Sequence, residues 1–196
     1  MMNIRAFFAL KLNDQMVRRL SDHADTLCAY DRNMEVNWVE SESYHLTLCF
    51  LGDIKISQVE TLERLTREQL AEVDPFQVRL DAVDYYPVSR QLALVAALSD
   101  GSEELQSLHD QMVQVAIAAG IDYDQTDFKP HVTLGRLPAD NTFEPPVHWP
   151  ELDLQSPASS VVLYLSKPGE RGSLYTPLFE VPLQYGLQRA RYARYA

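Results

Sequence analysis

Two histidines of this chain lie in nearly the same four-residue context, and this repeat is the feature with the clearest chemical meaning. The first context is His-Leu-Thr-Leu at residues 45–48, and the second is His-Val-Thr-Leu at residues 131–134. Each lies in an apolar run typical of a β-strand, in which side chains at positions i and i+2 point to the same face. His45 therefore shares a face with Thr47, and His131 shares one with Thr133. Two such strands at one cleft would bring together two imidazoles and two hydroxyls.

The chemistry that suits this set is acid–base catalysis on a phosphodiester without a metal. Attack on phosphorus needs a base on one side and an acid on the leaving-group side. Imidazole, whose ordinary pKa is about 6.5, can do both near neutral pH. One ring must then be neutral and the other protonated, which predicts a bell-shaped pH profile that belongs to the pair. The hydroxyls of Thr47 and Thr133 can donate hydrogen bonds to the non-bridging phosphoryl oxygens.

The repetition of the motif is what separates these histidines from ordinary ones. A single histidine in an apolar strand is usually a packed core residue, but two in matching contexts favour a functional pair. The other three histidines lack this context, so we expect them to be surface or helix-packing residues: His23, His109 and His148. A two-histidine metal site is the weaker hypothesis, because no carboxylate is in register with the pair.

Charge and composition limit the partners of the protein. The formal net charge of −11 at pH 7 argues against binding long nucleic acid through its phosphates, since such binding normally needs a basic face. A nucleic-acid substrate is therefore expected to be short, or to be held by one small basic patch. The one basic cluster lies in a C-terminal tail that we expect to be flexible from about residue 187: Arg189, Arg191 and Arg194.

The chain length of 196 residues predicts one domain, spanning residues 1–196. No segment approaches the roughly 20 uninterrupted apolar residues of a membrane span, and the apolar start of the chain is predicted to be a strand rather than a signal peptide. The two isolated cysteines, Cys28 and Cys49, match no metal or redox spacing and fit a reducing compartment. We therefore expect a cytoplasmic protein, monomeric, with no cofactor and no bound metal.

The pattern of elements follows a β-α-β order that occurs twice. Strands are predicted over residues 3–12, 44–51, 76–80, 91–98, 131–137, 160–166 and 175–183, with a short extended piece at 36–39, and helices over 14–30, from 57 and from 102. The Ser-x-x-Glu sequence at residues 57–60 predicts a capping box. Residues 84–87 are predicted to be a turn, and residues 138–157 a proline-rich loop. Short connections between strands favour antiparallel pairing, which predicts an α+β fold.

The longer forms of the two motifs, Tyr44 to Gly52 and Pro130 to Arg136, resemble the 2H phosphoesterase superfamily. The similarity is greatest to its bacterial RNA 2′,3′-cyclic phosphodiesterase branch, also called 2′-5′ RNA ligase. Other segments similar to that family extend the resemblance over nearly the whole chain: Arg5 to Leu10, Trp38, Tyr86-Pro87, Leu163 to Ser166 and Tyr175 to Leu183.

The resemblance implies a bilobal α+β fold with two antiparallel sheets and flanking helices around a central cleft. The lobes would be related by a pseudo-twofold axis, with one motif in each. It also implies opening of an RNA 2′,3′-cyclic phosphate to a 2′-phosphomonoester without a metal. By that similarity His45 is the proton donor to the departing 3′ oxygen, and His131 is the proton acceptor that activates water. The family's ligase name implies the same ring opening with a 5′-hydroxyl in place of water, which joins the cyclic end to that hydroxyl by a 2′-5′ linkage.

Arg136 resembles the phosphate or nucleotide contact that follows the second motif in the family, and a guanidinium suits this task through bidentate geometry. Strict alternation would place Arg136 on the face opposite His131, so a bend at Gly135 is needed, as glycine in a strand often provides. The alternative is a solvated arginine. For three aromatic residues, core packing is favoured over base stacking: Phe8, Tyr44 and Tyr86.

The acidic balance leaves the natural substrate open. One alternative is a phosphodiesterase of the same mechanism that acts on a small nucleotide, such as a cyclic ADP-ribose phosphate or a 2′-5′ oligonucleotide. A small-nucleotide enzyme should ignore RNA length and respond weakly to salt. Another alternative is a non-catalytic module that binds RNA ends, which would show saturable binding of cyclic-phosphate ends and no product.

Overall fold

The structure is a computed structural model that describes residues 2–123, 127–143, 145–170 and 172–183. Within these residues the helices are α1 (Asp14–Cys28), α2 (Val59–Leu70) and α3 (Glu103–Ala118). The strands are β1 (Asn3–Lys11), β2 (Asn37–Trp38), β3 (His45–Lys55), β4 (Gln77–Leu80), β5 (Ala82–Pro87), β6 (Leu92–Leu98), β7 (His131–Pro138), β8 (Leu154–Pro157), β9 (Ser160–Gly169) and β10 (Gly172–Pro182). None of the described helices is long and apolar enough to cross a membrane.

Most of the strands form one antiparallel sheet in the order β10-β9-β1-β3-β7-β6-β5, with β2 paired to β7. The two motif strands, β3 and β7, are neighbours at the centre of this sheet. A single residue pair, Leu46 with Val132, joins them. The sheet therefore has two halves that meet at the motifs, with one motif in each half. Strands β4 and β8 form a separate small sheet, so the prediction of an α+β fold with antiparallel strands in two sheets is confirmed.

Helices α1 and α3 begin at capping residues, and α1 illustrates the apolar stripe that is buried in the core. Asn13 caps α1 through a hydrogen bond from the Met16 amide, 2.8 Å long, and Ser102 caps α3 through one from the Leu105 amide. Side chains at three- and four-residue spacing are buried along α1: Met16, Leu20, Ala24 and Leu27. Each fully buried leucine of such a stripe contributes roughly 1.5–3 kcal/mol. Helix α3 packs on β3 and α2 packs on α3, which holds the first motif strand from behind.

Several predicted elements differ from the structure. Helix α2 begins at Val59, because residues 56–58 form a 3-10 turn. The predicted capping box at Ser57 is not formed. The side-chain oxygen of Gln58 instead accepts a hydrogen bond from the Lys55 amide at 2.9 Å. Residues 84–87 belong to strand β5, which pairs with β6. Because β5 is an edge strand, it tolerates Pro87. The proline-rich loop contains β8, and the tail arginines lie outside the described residues.

His109 packs inside the protein, as its context predicted. Its ring lies on α3, is buried, and stacks on Phe128 with the ring centroids 4.2 Å apart. Its Nδ1 lies 2.6 Å from the carbonyl oxygen of Leu48 in β3. Phe8 and Tyr44 are likewise buried in the core, as expected from core packing.

Candidate active site

Both motif histidines are oriented by the same local contact. The Nδ1 atom of His45 lies 2.7 Å from the carbonyl oxygen of Ser43, and the Nδ1 atom of His131 lies 2.8 Å from the carbonyl oxygen of Lys129. A carbonyl oxygen only accepts hydrogen bonds, so Nδ1 carries the hydrogen in each ring. The Nε2 atom of each ring is then the one that takes up or releases a proton.

The two threonines lie on the same faces as the histidines. His45 and Thr47 are partly buried, whereas Leu46 between them is fully buried, and the same alternation holds for His131 and Thr133 around Val132. The fully buried residues anchor each motif strand in the core. The partly buried residues therefore face the space where the two halves of the sheet meet.

A β-bulge in β7 decides which way Arg136 points. Ala96 of β6 pairs with Thr133, and its neighbour Val95 pairs with Gly135. Leu134 is therefore left without a partner in register. An extra residue of this kind shifts the alternation of the strand. Arg136 therefore joins the face of the motif side chains, although strict alternation would place it on the other face.

Gly135 also allows a close approach of strand β2. A Cβ atom at this position would collide with the Val36 side chain and lie 3.3 Å from the Trp38 ring. Trp38 pairs with Gly135 in the sheet, and its neighbour Asn37 pairs with Arg136. Gly135 therefore lies next to the bulge and also leaves the space in which β2 packs beside Arg136.

The first motif strand contains the corresponding bulge. Thr47 pairs with Ala9 of β1 and Cys49 pairs with Phe8, so Leu48 has no partner in register. The residue that corresponds to Arg136 in this half is Phe50, which is 46% exposed. The guanidinium of Arg5 lies over its ring, 4.9 Å from the centroid.

Aromatic side chains from distant parts of the chain surround His45. The rings of Phe7 and Tyr175 each lie 5.0 Å from the His45 ring, centroid to centroid, and the ring of Tyr164 lies at 5.9 Å. Burial lowers the pKa of His45 to about 4, although the hydrogen bond to Ser43 acts in the opposite direction. The positive charges of Arg136 and His131 are smaller contributions to the same lowering of the His45 pKa.

His131 has a different environment, in which one aromatic ring stacks against it. The ring of Tyr86 lies 4.1 Å from the imidazole, with the two planes inclined at 27°. Burial lowers the pKa of His131, and the hydrogen bond to the Lys129 carbonyl opposes this effect. Tyr86 was expected to pack in the core, and it lines the site instead.

Tyr175 connects the two halves of the site. Its hydroxyl oxygen accepts a hydrogen bond from an Nη2 hydrogen of Arg136 at 3.4 Å, a long contact, while the ring of Tyr175 lies edge-on to His45. The motifs gave no sign of the aromatic contacts of Phe7, Tyr164 and Tyr175 with His45. Their only signal in the sequence was that they fall in segments with a family resemblance.

The arrangement brings two imidazoles, two hydroxyls and one guanidinium to the face of the sheet where β3 and β7 meet. A phosphodiester anion placed there would meet donors for its non-bridging oxygens and an imidazole for each of its reacting oxygens. Among the residues that the structure describes, no group of three His, Cys, Asp or Glu side chains is placed to hold a metal ion.

Comparisons with known proteins place the chain in context. Residues 30–163 match a family model described as 2′-5′ RNA ligase superfamily. The RNA 2′,3′-cyclic phosphodiesterase of Methanothermobacter thermautotrophicus is 28% identical over 136 residues, which cover 69% of this chain and 72% of that protein. The enzyme of the same name from Thermotoga maritima is 22% identical over 193 residues, which cover 95% and 99% of the two chains.

Solved structures resemble the whole fold. A protein of Thermus thermophilus superposes with a TM-score of 0.77 at 25% identity, covering 93% of this chain and 100% of that one. Escherichia coli LigT complexed with 3′-AMP gives a TM-score of 0.74 at 23% identity, covering 93% and 99%. The second likeness concerns the fold alone.

Proposed function

Because the chain belongs to the 2′-5′ RNA ligase superfamily of 2H phosphoesterases, we propose that it hydrolyses 2′,3′-cyclic phosphodiester ends of RNA to 2′-phosphomonoesters by two-histidine catalysis without a metal. The observation that carries this proposal is the matched pair of imidazoles, each with Nδ1 bonded to a backbone carbonyl and Nε2 left for proton transfer. Relatives named RNA 2′,3′-cyclic phosphodiesterase support the choice of substrate.

The reaction needs one proton at each end of the displacement. His131 takes a proton from water as the water oxygen attacks phosphorus, and the bond between phosphorus and O3′ breaks. His45 gives its proton to the departing O3′, which leaves the phosphate on O2′. The hydroxyls of Thr47 and Thr133 and the guanidinium of Arg136 hold the non-bridging oxygens, where negative charge is concentrated in the transition state.

The lowered pKa of His45 has a consequence for this assignment. With a pKa of about 4 the ring is neutral at pH 7 in the free protein, whereas a proton donor must be protonated. A phosphodiester anion bound beside the ring favours the protonated form. Substrate binding therefore brings a proton to His45, and the aromatic surroundings make that proton easy to transfer.

The same ring opening with a 5′-hydroxyl in place of water would join the 2′,3′-cyclic end to that hydroxyl: the 5′ oxygen attacks phosphorus and gives its proton to His131, the bond to O3′ breaks, O3′ takes the proton of His45, and a 2′-5′ linkage forms. We further propose that the protein is a single bilobal domain over residues 1–196, that it acts as a monomer in the cytoplasm, and that it needs no cofactor. The two halves of the sheet support the bilobal domain, and two free cysteines, Cys28 and Cys49, support a reducing compartment.

Turnover in the presence of EDTA tests the proposed function. The substrates are a 2′,3′-cyclic mononucleotide and a short RNA with a cyclic end, and the product is identified as a 2′- or 3′-phosphate. We expect a 2′-phosphate at an undiminished rate in EDTA. The His45→Ala/His131→Ala double variant serves as the inactive reference, and His148→Ala, at an exposed histidine outside the site, serves as the matched control. No turnover by the wild type, or activity abolished by EDTA, would contradict the proposal.

The acidic character of the chain favours one second candidate, a 2H phosphodiesterase that acts on a small nucleotide. The net charge of −11 disfavours contact with many phosphates. Rates that are equal for a mononucleotide and for RNAs of increasing length, with little dependence on salt, would support this candidate. Rates that rise with length and fall steeply with salt would support the longer RNA substrate. Binding of cyclic ends without product would indicate a binding module.

A further inference from the structure

A cavity of about 650 Å³ opens beside Arg136 and has no role in the proton transfers. One wall is the segment that runs from β2 to the start of β3, including Trp38, Glu40 and Ser43. The other wall is the hairpin that joins β9 to β10, including Glu170 and Leu174, and Arg136 and Tyr175 lie between the walls. The cavity is large enough for a nucleoside, and it adjoins the candidate active site through three lining residues: Ser43, Arg136 and Tyr175.

The geometry of the reaction puts the nucleoside on this side of the site. O3′ belongs to the ribose of the reacting end, so the ribose lies next to the group that protonates O3′, which is His45. The Ser43 carbonyl holds His45, and the Tyr175 ring lies 5.0 Å from His45. Both of these residues line the cavity. The base attached to the reacting ribose therefore points into it.

The charges in the cavity suit a base better than a second phosphate. Glu40 and Glu170 present one carboxylate from each wall, and both are exposed. Arg136 is the only cationic side chain among the described residues that line the cavity, and the reacting phosphate uses it. Carboxylates repel further phosphate groups and accept hydrogen bonds only, so the part of the substrate that enters must offer N–H or O–H donors.

Guanine is the RNA base that best matches a carboxylate. Its N1–H and its N2 amino group lie side by side, so that two donors can meet the two oxygens of one carboxylate in a bidentate pair. Uracil has a single N–H between two carbonyl oxygens, and those oxygens would face the carboxylate. Single-stranded RNA is commonly recognised through hydrogen bonds to this edge of the base.

We propose that Glu40 selects a guanine at the reacting end, so that the preferred substrate is a guanosine 2′,3′-cyclic phosphate end. This proposal rests on the proposed function and on the assignment of His45 as the proton donor. Glu40 is favoured over Glu170 because it lies on the segment that leads through Ser43 to His45, whereas Glu170 lies at the turn of the hairpin.

The test compares guanosine and inosine 2′,3′-cyclic phosphates, which differ only by the N2 amino group. For the wild type we expect kcat/KM for guanosine to be about 5- to 10-fold higher, as one hydrogen bond to a partly solvated carboxylate provides. Glu40→Gln replaces one acceptor oxygen by a donor. It should bring the ratio close to one, because the N2 amino group of guanosine loses its acceptor, whereas the remaining Gln oxygen can still accept from the N1–H that both bases carry.

Glu42→Gln is the matched control, because it makes the same change two residues away at a side chain that does not line this cavity. It should keep the wild-type ratio. Equal rates for the two substrates in the wild type, or a ratio that survives in Glu40→Gln, would overturn the assignment. A ratio lost in Glu170→Gln and kept in Glu40→Gln would overturn it as well. No hydrolysis of either nucleotide would instead show that the proposed function fails.

Discussion

The two motif strands use one backbone design and place it in two different environments. In β3 and in β7 a histidine bonds through Nδ1 to the carbonyl oxygen two residues before it, and a leucine after the threonine forms a bulge. The side chains around them differ. His45 is enclosed by three aromatic rings, whereas His131 has one ring stacked on its face.

This difference indicates that the surroundings, rather than the motif, separate the tasks of the two histidines. The motif orients a ring and frees its Nε2 atom, and it does so equally in both halves. The aromatic enclosure and the nearby guanidinium then lower the pKa of His45 to about 4. At the equivalent position after each bulge, one half carries the cation Arg136 and the other carries the uncharged Phe50, whose ring contacts the guanidinium of Arg5.

The largest expected effect comes from removing either imidazole. We expect His45→Ala and His131→Ala each to lower kcat for a cyclic nucleotide by a factor on the order of 10² or more. The two variants should differ on bis(4-nitrophenyl) phosphate, whose leaving group needs no proton. On this substrate, His45→Ala should lower kcat by at most about 10-fold, because no proton donor is needed. His131→Ala should still lower kcat by a factor on the order of 10² or more, because water must still be deprotonated. The reverse pattern would exchange the two roles.

A smaller effect is expected at the positions after the two bulges. Arg136→Met should lower kcat/KM by roughly 30-fold, because a charged, two-donor contact to the phosphate is lost. Phe50→Leu, the matched change in the other half, should alter kcat/KM by less than about 3-fold, because Phe50 carries no charge and the substitution removes only its ring contact with Arg5. Steady-state kinetics on one cyclic nucleotide measures both. Equal losses in the two variants would show that the halves contribute alike.

The two threonines should contribute equally to the rate, unlike Arg136 and Phe50. Thr47→Val and Thr133→Val each remove one hydroxyl donor while keeping the β-branched shape, and we expect each to lower kcat by about 10-fold. Ser variants, which retain the hydroxyl, should recover most of the rate. If only one valine variant is impaired, then only one half supplies a donor to the phosphate.

The sequence was sufficient to place His and Thr of each motif on one face, and it was insufficient to predict how the rest of the candidate site is arranged around them. The spacing of His and Thr is sufficient to place both on one face, because alternation along a strand is a local property. The position of Arg136 depends on the bulge at Leu134, and a bulge is defined by the pairing of two strands. Gly135 suggested a bend there, and the register of β6 against β7 shows how it occurs.

The aromatic enclosure of His45 could not be derived from the motifs. Tyr164 and Tyr175 come from β9 and β10, far along the chain, and reach His45 because β1 pairs with both β3 and β9. Such long-range pairing leaves no periodic signal near the motif. Strand β5 was missed for a related reason, because Pro87 suggests a turn until its place at the edge of the sheet is known.

The smallest effect requires no substitution and tests whether substrate brings the proton to His45. The pKa values of both histidines are lowered in the free protein, and kcat/KM reports free enzyme, whereas kcat reports the complex. A pair with one proton is most abundant between its two pKa values, so kcat/KM should peak below the ordinary value of about 6.5. The bound phosphate anion raises both pKa values, so the maximum of kcat should lie about one pH unit higher. Coincident maxima would mean that His45 is protonated before substrate arrives, and the aromatic enclosure would then have no part in separating the two roles.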